Sequence, residues 1–122
     1  MKMAPEKNSD LEVLRDLIRE FVSERDWDQF HTPKNLATAL AVEAAELLEH
    51  FQWLQTGALD ELPEAKREQV RHELADVLVY LIRLADKMDV NLHDAVIDKM
   101  KINREKYPAE KVRGDSRKYS EY

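Results

Sequence analysis

The chain has 122 residues, of which 36% are charged and 43% aliphatic or aromatic, with a formal net charge of −6. That balance belongs to a soluble globular protein, and the length fits one domain spanning 1–122 better than two. The acidic charge argues against a nucleic-acid polymer as partner, since no face is basic enough to displace counterions. It is compatible with a small anion held through a metal, because the metal supplies the positive charge.

The sequence contains no cysteine, which excludes disulfides and thiolate metal sites and points to a reducing cytoplasm. Residues 1–9 are polar, carry no apolar core of a secretory signal, and are expected to be flexible. No apolar run approaches the roughly 20 residues of a membrane span, so no membrane is expected.

Helical periodicity dominates, and no strand-like alternation is visible. The first helix is expected from about Asp10 to Asp26, with Leu11, Leu14, Leu17, Ile18, Phe21 and Val22 on one face and Asn8, Ser9 or Asp10 as cap. The second begins at Thr32-Pro33, a capping residue followed by proline where helices accept it. It is expected to end near Trp53 to Gln55, with Gly57 as the stop. A third runs from Pro63 or Glu64 to Lys87 or Met88, and a fourth from Asn91 or Leu92 to Glu105, ended by Tyr107-Pro108. Residues 109–122 read as a polar tail, extended or mobile. Helices with short connections predict an all-α four-helix bundle. In the third helix, Leu74, Ala75, Val77, Leu78, Val79, Leu81, Ile82, Leu84 and Ala85 cover about two-thirds of the circumference at roughly 100° per residue. So much apolar surface is buried on more than one side, which predicts a bundle completed by oligomerisation, as a homodimer or homotetramer.

The chemistry lies in the acids. On a helical wheel Leu36, Leu40, Leu47 and Leu54 fall within roughly 60° of Glu43, so this acid sits in the apolar stripe of its helix, with Glu46 beside it. Burying an unpaired charge there is expensive. The third helix carries a narrow polar stripe of Glu73, Asp76, Tyr80, Arg83 and Lys87, again with two acids three apart. Two such pairs on adjacent helices gather four carboxylates that repel unless a cation lies between them. Oxygen-only donors suit a hard ion, Mg²⁺ or Mn²⁺, that keeps exchangeable waters. The competing arrangement is an ion-pair network in which Arg83, Lys87 or Arg71 neutralises the acids. His50 lies on the acid-bearing stripe and is read as a hydrogen-bonded core histidine.

Glu43-Ala-Ala-Glu46 followed by Glu73-Leu-Ala-Asp76 resembles the metal-binding signature of the MazG-like all-α nucleoside triphosphate pyrophosphohydrolases. Further blocks resemble their dCTP pyrophosphatase branch: Arg25-Asp26-Trp27-Asp28-Gln29-Phe30-His31, Pro33-Lys34-Asn35-Leu36, Phe51-Gln52-Trp53, Asp76-Val77-Leu78-Val79-Tyr80-Leu81, Lys99-Met100 with Asn103-Arg104, Lys106-Tyr107-Pro108 and Ser116-Arg117-Lys118-Tyr119. Two positions depart from the family pattern. Val42 stands where a glutamate often precedes Glu43. Ile18 stands where the vertebrate dCTP enzymes carry a histidine, so a broader base preference is expected.

The resemblance implies cleavage of a deoxynucleoside triphosphate, dCTP or a relative, between the α and β phosphates, in the service of nucleotide-pool cleansing. Glu43, Glu46, Glu73 and Asp76 would be the metal ligands, with Glu46 as general base for the attacking water. Trp27, Phe30, Trp53 and Tyr80 would stack on the base. Gln29, His31 and Asn35 would complete the nucleoside contacts, Gln29 and His31 at its polar edge. Lys99, Asn103 and Arg104 would clasp phosphate oxygens, with Arg117 and Lys118 closing over them, if need be from a neighbouring subunit. For Trp53 and Tyr80 the competing role is core packing, and for the tail a solvated surface.

Other functions compete. A dUTPase-like or phosphoribosyl-ATP pyrophosphohydrolase would use similar acids, but the Trp27 and Trp53 blocks argue against both. A di-iron bundle needs Glu-x-x-His pairs, which the chain lacks. A non-catalytic helical interaction module would gain no stability from magnesium.

Overall fold

The computed structural model describes residues 9–116, and helices are the dominant regular element among them. They fall into two compact units, one ending at Val90 and one beginning at Asn91. In the first unit α1 (Asp10–Glu24) and α2 (Pro33–Glu49) both pack on α3 (Glu64–Lys87). The second unit holds α4 (Leu92–Lys106) and the single turn α5 (Ala109–Val112).

Local chemistry explains the boundaries. Ser9 caps α1 by accepting from the Glu12 amide (3.2 Å), Thr32 caps α2 through the Asn35 amide (3.2 Å), and Asn91 caps α4 through the Asp94 amide (3.0 Å). Each hydroxyl or amide oxygen satisfies a donor that the first turn leaves orphaned. Helix α1 stops at Glu24, two residues before the expected Asp26. Asp26 takes a left-handed φ of 54°, and the Trp27 amide reaches back to the Val22 carbonyl at 3.1 Å. α3 ends in the same way: Asp89 has φ 54° and the Val90 amide donates to the Ala85 carbonyl at 2.9 Å. Both are Schellman closures with aspartate where glycine is usual.

Helix α2 is shorter than expected, ending at Glu49 rather than near Trp53 to Gln55. From His50 onward the amides bond three residues back (His50 to Leu47, Phe51 to Leu48, Leu54 to Phe51), a tight turn that winds the chain out of the helix. The loop is then held by Glu61, whose carboxylate accepts from the Gln55 amide (2.8 Å), the Thr56 amide (2.9 Å) and the Thr56 hydroxyl (2.8 Å). Gly57 is required there: at φ 76°, an added Cβ would sit 2.7 Å from Phe51 Cδ1. Residues 109–112, within the stretch expected to be extended or mobile, form a helical turn.

Val22, Leu36, Leu62, Ile82 and Ala85 form the buried core. Leu74, Leu78, Val79 and Leu81 of α3 and Val13 and Leu17 of α1 remain exposed. Among the described residues no helix is long and apolar enough to cross a membrane.

Candidate metal centre and nucleotide site

Helices α2 and α3 run antiparallel, since Glu43 in mid-α2 meets mid-α3 while His31, just before α2, meets late α3. This pairing delivers the acids. Carboxylate oxygens of Glu43, Glu73 and Asp76 lie within 4.8 Å of one another, the first two half-buried and Asp76 exposed. Glu46 lies outside that trio but close enough to Glu43 to act on its ionisation. Glu43 Oε2 and Glu73 Oε2 are both buried without a hydrogen-bond partner.

Such an arrangement resists being fully ionised. Loss of water, then the neighbouring Glu73 and Glu46, push the Glu43 carboxyl up to about 7. The basic side chains of α3 do not relieve it. Arg71 pairs with Glu68 at 2.8 Å, while Arg83 and Lys87 turn to Asp28, and Arg83 also to Asp86. Among the described residues no ion pair reaches Glu43, Glu46, Glu73 or Asp76. The ion-pair network weighed as the alternative therefore exists, but around other acids. Orphaned buried oxygens and an all-oxygen donor set fit a hard divalent cation.

The aromatic and polar candidates divide between the two ends of α2. Trp27, Gln29, Phe30, His31 and Asn35 belong to the segment entering α2. Trp27 packs edge-on against Phe21, with ring centroids 5.6 Å apart, and Phe30 is exposed. Gln29 Nε2 donates to the Asp26 carbonyl (3.0 Å) and Asp26 Oδ2 (3.1 Å), and Asn35 Nδ2 to the Phe30 carbonyl (3.0 Å). These bonds fix the segment. His31 Nδ1 accepts from Arg83 Nε at 3.1 Å. Tyr80, half-buried, stands on α3 between Asp76 and Arg83. Trp53 lies beyond the other end of α2 and is 88% exposed, so core packing does not explain it. A helix of 17 residues spans about 25 Å at its usual rise. One chain therefore does not bring Trp53 to Trp27 and Phe30.

On α4, Asn103 is half-buried and Lys99 and Arg104 are exposed. Arg117 and Lys118 lie outside the described residues. His50, expected to be hydrogen-bonded, has a buried Nδ1 with no partner. Sequence reasoning missed the role of Arg83, which looked like one more member of a polar stripe. The only signal was its place between Ile82 and Leu84.

Residues 38–122 match the sequence profile of the MazG-like family. The chain belongs to that family. Among its curated relatives, human dCTP pyrophosphatase 1 is 49% identical over 113 residues, 91% of this chain, and the mouse protein of the same name is 46% identical over 114 residues. The chain spans 66% of the length of each of these two. The crystal structure of a pyrophosphatase from Archaeoglobus fulgidus superposes with a TM-score of 0.77 at 42% identity, covering 87% of this chain and 99% of that one. The matched residues span both acid pairs.

Proposed function

We propose that this MazG-like chain is a Mg²⁺-dependent pyrophosphohydrolase of deoxynucleoside triphosphates, acting on dCTP or a close relative and releasing monophosphate and pyrophosphate. The observation that carries the proposal is the convergence of Glu43, Glu73 and Asp76, flanked by Glu46, which no ion pair among the described residues neutralises. The names of the relatives favour the same activity. A role in balancing nucleotide pools in the cytoplasm is part of the same reading.

Bound Mg²⁺, or Mn²⁺, would supply positive charge to the triphosphate and lower the pKa of a coordinated water. The residues supply the rest. Glu43, Glu73 and Asp76 would hold the ion through their carboxylate oxygens. Glu46, beside the trio rather than inside it, keeps an oxygen free to take the proton from the water that attacks the α-phosphorus, with pyrophosphate departing in line. Trp27, Phe30 and Tyr80 offer faces for the base, and Gln29, His31 and Asn35 shape its polar surroundings. Lys99, Asn103, Arg104, Arg117 and Lys118 are assigned to phosphate oxygens by the resemblance of their sequence blocks. Trp53 contributes from a second copy of the chain, whose association covers the exposed apolar residues of α1 and α3 and yields a homodimer or homotetramer.

The test is a panel of common and 5-methylated deoxynucleoside triphosphates with Mg²⁺, with product identification. Pyrophosphate and a monophosphate are expected, with dCTP among the best substrates. Orthophosphate as first product, or survival of all triphosphates, overturns the proposal. A folded Glu46→Gln protein with undiminished turnover would remove Glu46 as base.

A further inference from the structure

Among the described residues Arg83 is the one buried charged side chain, 7% exposed, and such a guanidinium is tolerated only when its donors are used. All three of its nitrogens are engaged. Nε donates to His31 Nδ1 at 3.1 Å, Nη1 to Asp86 Oδ2 at 3.3 Å, and Nη2 to Asp28 Oδ1. Lys87 Nζ donates to the same Asp28 oxygen at 2.6 Å, and Arg19 grips Asp86 with two nitrogens. Thus one side chain of α3 ties two residues of the segment entering α2, His31 and Asp28, to the helix that carries Glu73 and Asp76.

The chemistry of the first contact is one-way. A guanidinium is always protonated, so Nε can only donate and Nδ1 of His31 must accept. The imidazole proton then resides on Nε2. Partial burial and the charges of Arg83 and Lys87 hold the His31 pKa below its ordinary value, against the opposing pull of Asp28. The ring is therefore neutral near neutral pH, with Nε2–H as its free hydrogen-bonding edge.

Position along α3 relates this edge to the metal-binding acids. Asp76, Tyr80 and Arg83 follow one another on the same stripe, and the seven residues from Asp76 to Arg83 span about 10 Å. That is the scale on which a nucleoside extends from its α-phosphate to its base. We infer that Arg83 is a positioning residue for the nucleoside end of the site, holding His31 as a neutral Nε2–H donor toward a hydrogen-bond acceptor on the base. The acceptor belongs to the class of pyrimidine carbonyl oxygens and unprotonated ring nitrogens. The inference rests on the nucleotide reading above.

Two measurements on the full chain test it. In ¹H–¹⁵N spectra of the metal-free protein near neutral pH, His31 carries its proton on Nε2, and Arg83→Met redistributes the proton between the two nitrogens. In steady-state hydrolysis of dCTP with Mg²⁺, Arg83→Met raises KM roughly tenfold, while kcat stays within about threefold. Arg83→Lys restores part of the KM, because it keeps the charge but not the fork. A wild-type His31 protonated on Nδ1 or on both nitrogens overturns the inference. So does an unchanged KM, or a loss confined to kcat, in the Met variant. If that variant does not fold, the wild-type spectrum and the Lys variant decide. A wild-type chain that turns over no triphosphate overturns the nucleotide reading, whereas the spectrum still reads the Arg83–His31 tautomer.

Discussion

Helix α3 carries two charged regions that obey opposite rules. Around Arg83 every charge has a partner: Asp28, Asp86, Lys87 and Arg19 form a closed chain of ion pairs. About two turns earlier, Glu73 and Asp76 face Glu43, none of the three in an ion pair among the described residues, and two buried oxygens are left without a hydrogen bond. No Lys or Arg stands three or four residues from Glu43, Glu46, Glu73 or Asp76, so their own helices offer these acids no local counter-charge, whereas Arg83 and Lys87 meet Asp28 and Asp86. A cluster left without counter-charge while its neighbour is ion-paired fits the proposal above that a divalent cation is held there, and its all-oxygen donors suit one. The paired region does the opposite job and fixes backbone.

The largest effect that separates the two regions is catalytic. Glu73→Gln or Asp76→Asn should lower turnover by at least about 100-fold, while metal-free melting temperature holds or rises, because each removes a repelling charge. A large loss of metal-free stability instead would place these acids in a structural network and erase the contrast.

Asp86→Asn should do the reverse. It leaves the buried Arg83 and its neighbour Arg19 short of an anion and should cost about 2–3 kcal/mol of stability in chemical denaturation, with the stabilisation by Mg²⁺ unchanged. A shift in the Mg²⁺ response would mean that the two regions are coupled.

Titration sharpens the comparison further, because the signs differ. Glu43 ionises near 7 against an ordinary 4.5, so the metal-free fold retains a proton that the unfolded chain has released. Its contribution to stability therefore falls as pH rises from about 4.5 to about 7 and is level above. The stabilisation by saturating Mg²⁺, about 2.7 kcal/mol at a hundredfold excess over Kd, should grow across the same window. Thermal melts on either side of it, with and without Mg²⁺, check both slopes. Asp28 and Asp86 are held below their ordinary 3.8, Asp28 by Lys87 and Arg83, Asp86 chiefly by Arg19. Their contribution is complete above that value and is lost as pH falls through the depressed values, with no response to Mg²⁺.

The smallest expected effect lies away from both regions. Asp89 adopts φ 54° after α3, a conformation in which glycine carries no Cβ penalty. Asp89→Gly should stabilise the protein by about 0.5–1 kcal/mol, measured by urea denaturation, without changing turnover.

Much of this was legible in the chain itself. The helical periods placed α3 and α4 to within a residue or so, and the Thr32-Pro33 and Ser9 caps did the same for the starts of α1 and α2. Glu43 stood out because a carboxylate among Leu36, Leu40 and Leu47 has no reason to be there on stability grounds. The end of α2 was not legible: Phe51 to Leu54 continue a helical pattern, and it is Glu61, six residues past Gln55, that gathers the Gln55 and Thr56 amides into a loop. Nor was the destination of Arg83 and Lys87, since a helical wheel shows that they share a stripe with Glu73 and Asp76 but not which neighbour lies opposite each turn.

Sequence alone determined the all-helical class, the two acid pairs and the hard-cation chemistry they call for, because periodicity and side-chain type are local properties. Tertiary structure decided which charges meet. The antiparallel pairing of α2 with α3 sets Glu43 against Glu73 and Asp76, and the same register carries Arg83 past the acids to His31 and Asp28. Electrostatic energy depends on distances of a few ångströms between residues tens of positions apart, and only the packed fold fixes those.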